Sequence, residues 1–254
     1  MLTDIDSTLA VSPDGRRLAY LRENFPEPGE SAVVIADSGG ANVRAVLVKR
    51  PPLFVSPGFF VAPSWSPDGT RLAVGVRNSE TRDAGFVTVD VETGREDALS
   101  GRFGSSGFTF WLPDGSGILV TAQSLDAMTP QGGGPIHLLP YPRGEPRRIT
   151  NDLVVYRNAT VSDDGRLLVT VGSELAPTLW LIPLDGGEPR RLRSERHDGA
   201  SGAAWMPDGR ILITTSVSGD THVAIMNGDG SNRRVLTADG HAGWAGHCVR
   251  GPLR

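Results

Sequence analysis

The chain has 254 residues, a net charge of −4 and a single cysteine, Cys248. One cysteine excludes an internal disulfide, the acidic balance argues against a nucleic-acid surface, and no run approaches the roughly 18 apolar residues of a membrane span. Its 32 glycines and 19 prolines make up about a fifth of the chain, well above ordinary usage of about 12%.

Those glycines and prolines sit between short apolar runs rather than in one biased tract. A phrase recurs five times in chain order: VSPDGRRLAY at 11–20, WSPDGTRLAV at 65–74, WLPDGSGILV at 111–120, VSDDGRLLVT at 161–170 and WMPDGRILIT at 205–214. Its glycines, Gly15, Gly69, Gly115, Gly165 and Gly209, lie 54, 46, 50 and 44 residues apart. A period of that length carrying only short β-like runs predicts an all-β propeller built from four-stranded antiparallel blades.

The sequence predicts five complete blades, at about 9–48, 62–99, 108–150, 158–193 and 202–238. In each, a short strand meets a turn formed by Asp14-Gly15, Asp68-Gly69, Asp114-Gly115, Asp164-Gly165 or Asp208-Gly209. Asp and Gly suit a tight hairpin, and only Gly takes positive φ without cost. The second strand of each blade is nearly all apolar, as expected of a strand covered on both faces. The fourth strands carry Arg147-Arg148, Arg190-Arg191 and Arg233-Arg234, charges that suit an outer edge. Trp65, Trp111 and Trp205 share the position before the turn, and the reading for them is packing between blades.

The two ends are expected to be stubs of neighbouring blades, 1–8 and 239–254, so that the chain is a fragment of a six- or seven-bladed ring. The alternative is an intact five-bladed ring. In a fragment, blades one and five each lack a neighbour, which predicts self-association through open faces. Leu18, Tyr20, Ile211 and Ile213 would then be less buried than Leu72, Val74, Leu167 and Val169.

Chemistry-bearing motifs are missing. There is no G-x-S-x-G, no phosphate loop with its lysine, no H-R-D and no D-F-G. His137, His197, His222, His241 and His247 never reach ligand spacing, and the stretch from Asn227 to Ala238 fails as a calcium loop at its sixth and twelfth positions. No catalytic residue, metal or cofactor is therefore assigned. Length variation between repeats falls on one set of connections, opposite the Pro-Asp-Gly turns, and function usually rides on such loops. The loop RPPLFVSPGFFVAP at 50–63 offers an aromatic cluster. It is either a partner-binding patch or a flap over the seam between blades one and two. Candidate partner-binding residues on that face are Phe54, Phe59, Phe60, Phe103, Tyr156 and His197.

LWLIPLDGGEPRRL at 179–192 and EPRRIT at 145–150, together with the five turn phrases, resemble the WD40-like repeat of TolB-type propellers. The resemblance covers about residues 9–238. It implies a non-catalytic binding or sensor module with a protein or peptide partner, part of a larger bacterial signalling or envelope protein. A second implication is an accessory gating propeller of a prolyl-oligopeptidase-like serine hydrolase. No secretory signal is visible in MLTDIDSTLA at 1–10. A TolB-like or receptor-kinase parent would place the module outside the cytoplasm, any other parent inside it.

Overall fold

The computed structural model describes residues 5–55, 61–125, 134–151, 154–173, 177–192, 194–195 and 197–237. Among them there is no helix, and the strands form five antiparallel meanders. The first sheet holds β1 (Ala10–Val11), β2 (Arg17–Glu23), β3 (Ser31–Asp37) and β4 (Arg44–Lys49). The second holds β5 (Leu53–Val55), β6 (Ser64–Trp65), β7 (Arg71–Asn78), β8 (Ala84–Asp90) and β9 (Glu96–Ala98). The third is β10 (Ser105–Trp111), β11 (Gly117–Gln123), β12 (Ile136–Pro140) and β13 (Arg147–Arg148). The fourth is β14 (Val155–Val161), β15 (Leu167–Ser173), β16 (Pro177–Pro183) and β17 (Arg190–Arg191), and the fifth β18 (Ala203–Trp205), β19 (Arg210–Val217), β20 (Asp220–Asn227) and β21 (Arg234–Val235). Two compact units divide the chain, the first three sheets in one and the last two in the other.

Each repeat phrase makes the same hairpin. In the first, the Gly15 N–H donates to Ser12 O at 2.8 Å, and Gly15 has φ +72°. This is a turn closed by a left-handed residue, the geometry of a G1 bulge. Ser12 adds a second lock: its Oγ donates to Asp14 Oδ1 and accepts from the Arg17 N–H. Ser66 and Ser162 repeat the device with Asp68 and Asp164. Leu112 and Met206 stand at that position in blades three and five, where only the aspartate cap remains.

These caps favour the ionised form of the turn carboxylates. The Ser12 hydroxyl and the Arg16 N–H hold Asp14 below its ordinary value of 3.8. Asp114, Asp164 and Asp208 are lowered by comparable hydrogen bonds. At Asp68 burial pushes the carboxyl up, but Ser66 and Thr70 together outweigh it. A lowered folded-state value favours the ionised form in the folded chain. Its stabilisation is full above the unfolded value and is lost as pH falls through the folded one. Thermal unfolding followed by circular dichroism should therefore give a flat midpoint from pH 7 to about 4.5 and a steep fall below about pH 4. A midpoint that rises between about pH 4.5 and 3 would contradict this account of the turns.

The inner strands begin earlier than the phrase alone indicates. Sheets three and four start at Ser105 and Val155, not at 108 and 158, because both strands continue past a β-bulge. Ser106 faces Ala122 and Thr109 faces Val120, so two residues oppose the single Thr121. Gly107 occupies the bulge, where a Cβ would lie 2.2 Å from Thr121 Oγ1. The fourth sheet repeats the break between Tyr156 and Ala159. In the second sheet the break is wider. Val55 pairs with Val76 and Ser64 with Ala73, so two pairs nine residues apart in sequence on one side have partners three apart on β7. Part of the 50–63 segment is therefore strand, since Leu53, Phe54 and Val55 are β-formers and ladder onto β7.

The burial expected of open end blades is not what the side chains show. Tyr20, Ile211 and Ile213 are as buried as Leu72, Val74 and Val169, whereas Leu18 and Leu167 are both half-buried. Strand parity explains part of this. Ile211 and Ile213 point toward sheet four and pack with Val169, Val171 and Leu179, leaving the half-buried Leu212 on the other side. Tyr20 is covered by the chain's own Ile5 and Phe25. Residues 6 and 7 are tied to blade one, with Asp6 N–H donating to Leu21 O and Leu21 N–H donating to Ser7 Oγ.

Seams between neighbouring sheets combine apolar packing with a few directed bonds. Trp65 packs with Ala10, Leu21 and Val33 in one buried cluster, and its Nε1–H donates to Ala10 O at 3.1 Å. Arg17 lies over the indole at 4.8 Å while its Nη2 donates to Gly69 O. At the next seam Thr109 Oγ1 donates to Ala73 O and the Trp111 N–H to Ser64 Oγ.

Candidate functional site

Among the six aromatic and histidine candidates, the structure separates surface from interior. Phe54 is half-buried on β5, with the Arg77 guanidinium 5.9 Å over its ring. Phe59 and Phe60 lie outside the described residues. Phe103 is not a surface residue: its ring is buried, edge-on to Phe86 at 5.7 Å and tilted against His137 at 5.3 Å. Burial also pushes the His137 imidazole below its ordinary value. Tyr156 is fully buried beside the β14 bulge. These two rings are core, and a partner could not touch them. His197 is exposed in a left-handed conformation at φ +76°. Phe54 and Phe103 belong to the first compact unit, Tyr156 and His197 to the second. No group of three potential metal ligands occurs among the described residues, and no described helix is long and apolar enough to cross a membrane.

Phe54 is one wall of a cleft of about 200 Å³ on the variable-loop side. Three segments build it: the β2–β3 loop with Glu23, Asn24, Gly29 and Glu30, the link Pro51–Val55, and Ser79 after β7. Their hydrogen bonds show why the loops hold that shape. Asn24 takes φ +49° and its Oδ1 accepts the Gly29 N–H. Ser31 Oγ accepts from Val55 N, and Ser79 N donates to Pro52 O. These polar groups are thus spent on each other; among the buried side chains lining the described wall there is one exception.

That exception is Glu30. It is 8% exposed, Oε1 accepts from Arg50 Nε, and Oε2 is buried with no hydrogen-bond partner. A buried carboxylate oxygen without a donor costs free energy, about 1–3 kcal/mol or more. Sequence reading passed over Glu30 in favour of the aromatics. Its only signal was an acidic residue directly ahead of the apolar run SAVVIA, where a strand about to be covered on both faces begins.

With fold and cleft described, comparison with known proteins places the chain. The family model for the TolB beta propeller domain matches residues 15–245. The chain belongs to the TolB β-propeller family. Among solved structures, this TolB-type propeller is similar to TolB from Acinetobacter baumannii, with a TM-score of 0.68 and 18% identity over 92% of the chain and 54% of that protein. It is also similar to prolyl oligopeptidase B from Galerina marginata, with a TM-score of 0.68 and 12% identity over 96% of the chain and 37% of that protein. An uncharacterized protein of Agrobacterium fabrum is 26% identical over 208 residues, 76% of the chain and 63% of that relative. This TolB-type propeller spans less than two thirds of each of these relatives. At such identities the solved structures establish the fold alone, so the site must be argued from its own residues.

Proposed function

We propose that this chain is a non-catalytic interaction module that binds a protein or peptide partner through its variable-loop face, within a longer bacterial signalling or envelope protein. The observation that carries this reading is the cleft beside Phe54. It joins a half-exposed aromatic to a buried carboxylate with an unspent oxygen, and the serine and aspartate side chains of the opposite turns are already satisfied by their own backbone. Binding surfaces of this kind anchor a few side chains on rigid aromatic walls. The absence of a nucleophile motif or phosphate loop in the sequence supports binding over turnover.

Selection of a random peptide library on the purified chain, followed by hydrogen-exchange footprinting of the bound state, tests this. The expected footprint covers 24–30, 50–55 and 79–83. A footprint confined to the Pro-Asp-Gly turns, or hydrolysis of peptide or ATP by the purified chain, would overturn it.

A further inference from the structure

Within that reading of the face, the cleft contains the chemistry of a specific ligand class. We infer that it is a receptor for the cationic end of a lysine or arginine side chain on the partner peptide, with Glu30 as the recognising carboxylate. Charge comes first. Among the described residues Glu23 and Glu30 line the cleft, and no lysine, arginine or histidine does. The remaining polar side chains there are occupied: Asn24 Oδ1 by Gly29, Ser31 Oγ by Val55 and Ser79 Oγ by Pro52 O. An anion would meet two acids. A cation would meet the exposed Glu23 carboxylate and, on displacing the largely exposed Arg50 from Oε1, the carboxylate of Glu30, whose buried Oε2 no described group satisfies.

Size narrows the ligand further. About 200 Å³ lies below the roughly 300–1,000 Å³ of sites that enclose whole small molecules, and it suits one extended side chain. The walls match such a chain: Pro51, Pro52, Leu53 and Phe54 offer apolar surface to an aliphatic stem, as long charged side chains require, while the head reaches Glu30. Phe54 also lines the same volume, and its neighbour Arg77 sits over its ring.

Arg50 provides the sharpest test. Among the described residues it is the one side chain bonded to the Glu30 carboxylate, is largely exposed and binds only Oε1, so it competes with an incoming cation for the same carboxylate. Removing it should improve binding, whereas removing Glu30's charge should abolish it. A purely structural ion pair would make both changes harmful or both neutral.

The experiment uses the full chain, amide-detected NMR and three probes: acetyl-Gly-Lys-Phe-Gly amide, the same peptide with norleucine for lysine, and n-butylammonium. The lysine peptide should shift the resonances of 23–31, 53–55 and 79 and bind at least about tenfold more tightly than the norleucine peptide, the scale of one charge-assisted hydrogen bond. Glu30→Gln should erase that preference, and Arg50→Met should strengthen lysine-peptide binding about threefold or more. Both variants are first checked for an unchanged spectrum outside the cleft. If a variant is misfolded, a salt titration of the wild-type complex replaces it, with lysine-peptide binding expected to weaken as ionic strength rises and norleucine-peptide binding to stay level. Equal shifts at the cleft from lysine and norleucine peptides would overturn the inference and leave the interaction face standing. Butylammonium binding as tightly as the peptide would overturn the peptide source in favour of a free amine. Shifts confined to the Pro-Asp-Gly turns would overturn both.

Discussion

Replacing Arg233 by alanine is expected to destabilise the second compact unit by about 3–5 kcal/mol, the cost of leaving a buried charge without its partner. Asp198 is completely buried, and its two oxygens accept Arg233 Nη2 and Nε at 2.9 Å each. Among the described residues its one other donor is the Glu195 N–H. Arg233 also donates to Thr215 Oγ1 and faces Glu195 at 3.4 Å. Taking the guanidinium away strands a carboxylate in the link that leads into β18. Chemical denaturation and hydrogen exchange of 194–202 measure the loss. The paired replacement Asp198→Leu with Arg233→Met should cost less than either single change, because no charge is then stranded. A single-variant loss below about 1 kcal/mol would show that the link holds its shape without the pair.

The second large effect is expected at the seam between the first two sheets. Trp65→Ala should cost about 3–5 kcal/mol, since it opens a void among Ala10, Leu21, Leu72 and Val89 and removes the Nε1–H bond to Ala10 O. Arg17 would also lose the ring beneath its guanidinium. Trp65→Phe retains much of the volume and should cost less, about 1–2 kcal/mol, including the lost hydrogen bond. Equal losses for the two variants would mean that the indole N–H, rather than packing, dominates the seam.

How far the sequence reaches is clear from these two residues. Trp65 was legible because it repeats: Trp111 and Trp205 stand at the same place before the same turn, and all three are buried. Arg233 was misread for the same reason. In sequence it opens an arginine pair as Arg147 and Arg190 do, and those two side chains are exposed on outer strands, but the ladder puts Arg234, not Arg233, in register with them. Its own environment is set by Asp198, 35 residues earlier, and a pattern of repeats contains no information about a partner that occurs once. The candidate site has that same character. Phe54 could be found as an aromatic in a variable loop, but Phe103 and Tyr156 look alike in sequence and are core. Glu30 becomes visible only when the β2–β3 loop and the Pro51–Val55 link close around its carboxylate.

The register breaks of the inner strands have a further consequence, for how this architecture can acquire new parts. One break admits two residues in sheets three and four, and in sheet two eight residues of sequence separate Val55 from Ser64, with pairing present on both sides each time. Two doublings of loop length cost only about 1.2 kcal/mol of closure entropy, so the site behaves as a splice point. A foreign segment introduced between Ser106 and Thr109 should be carried without loss of the flanking pairs, and the blade that already hosts the longest insert is the one whose link borders the cleft.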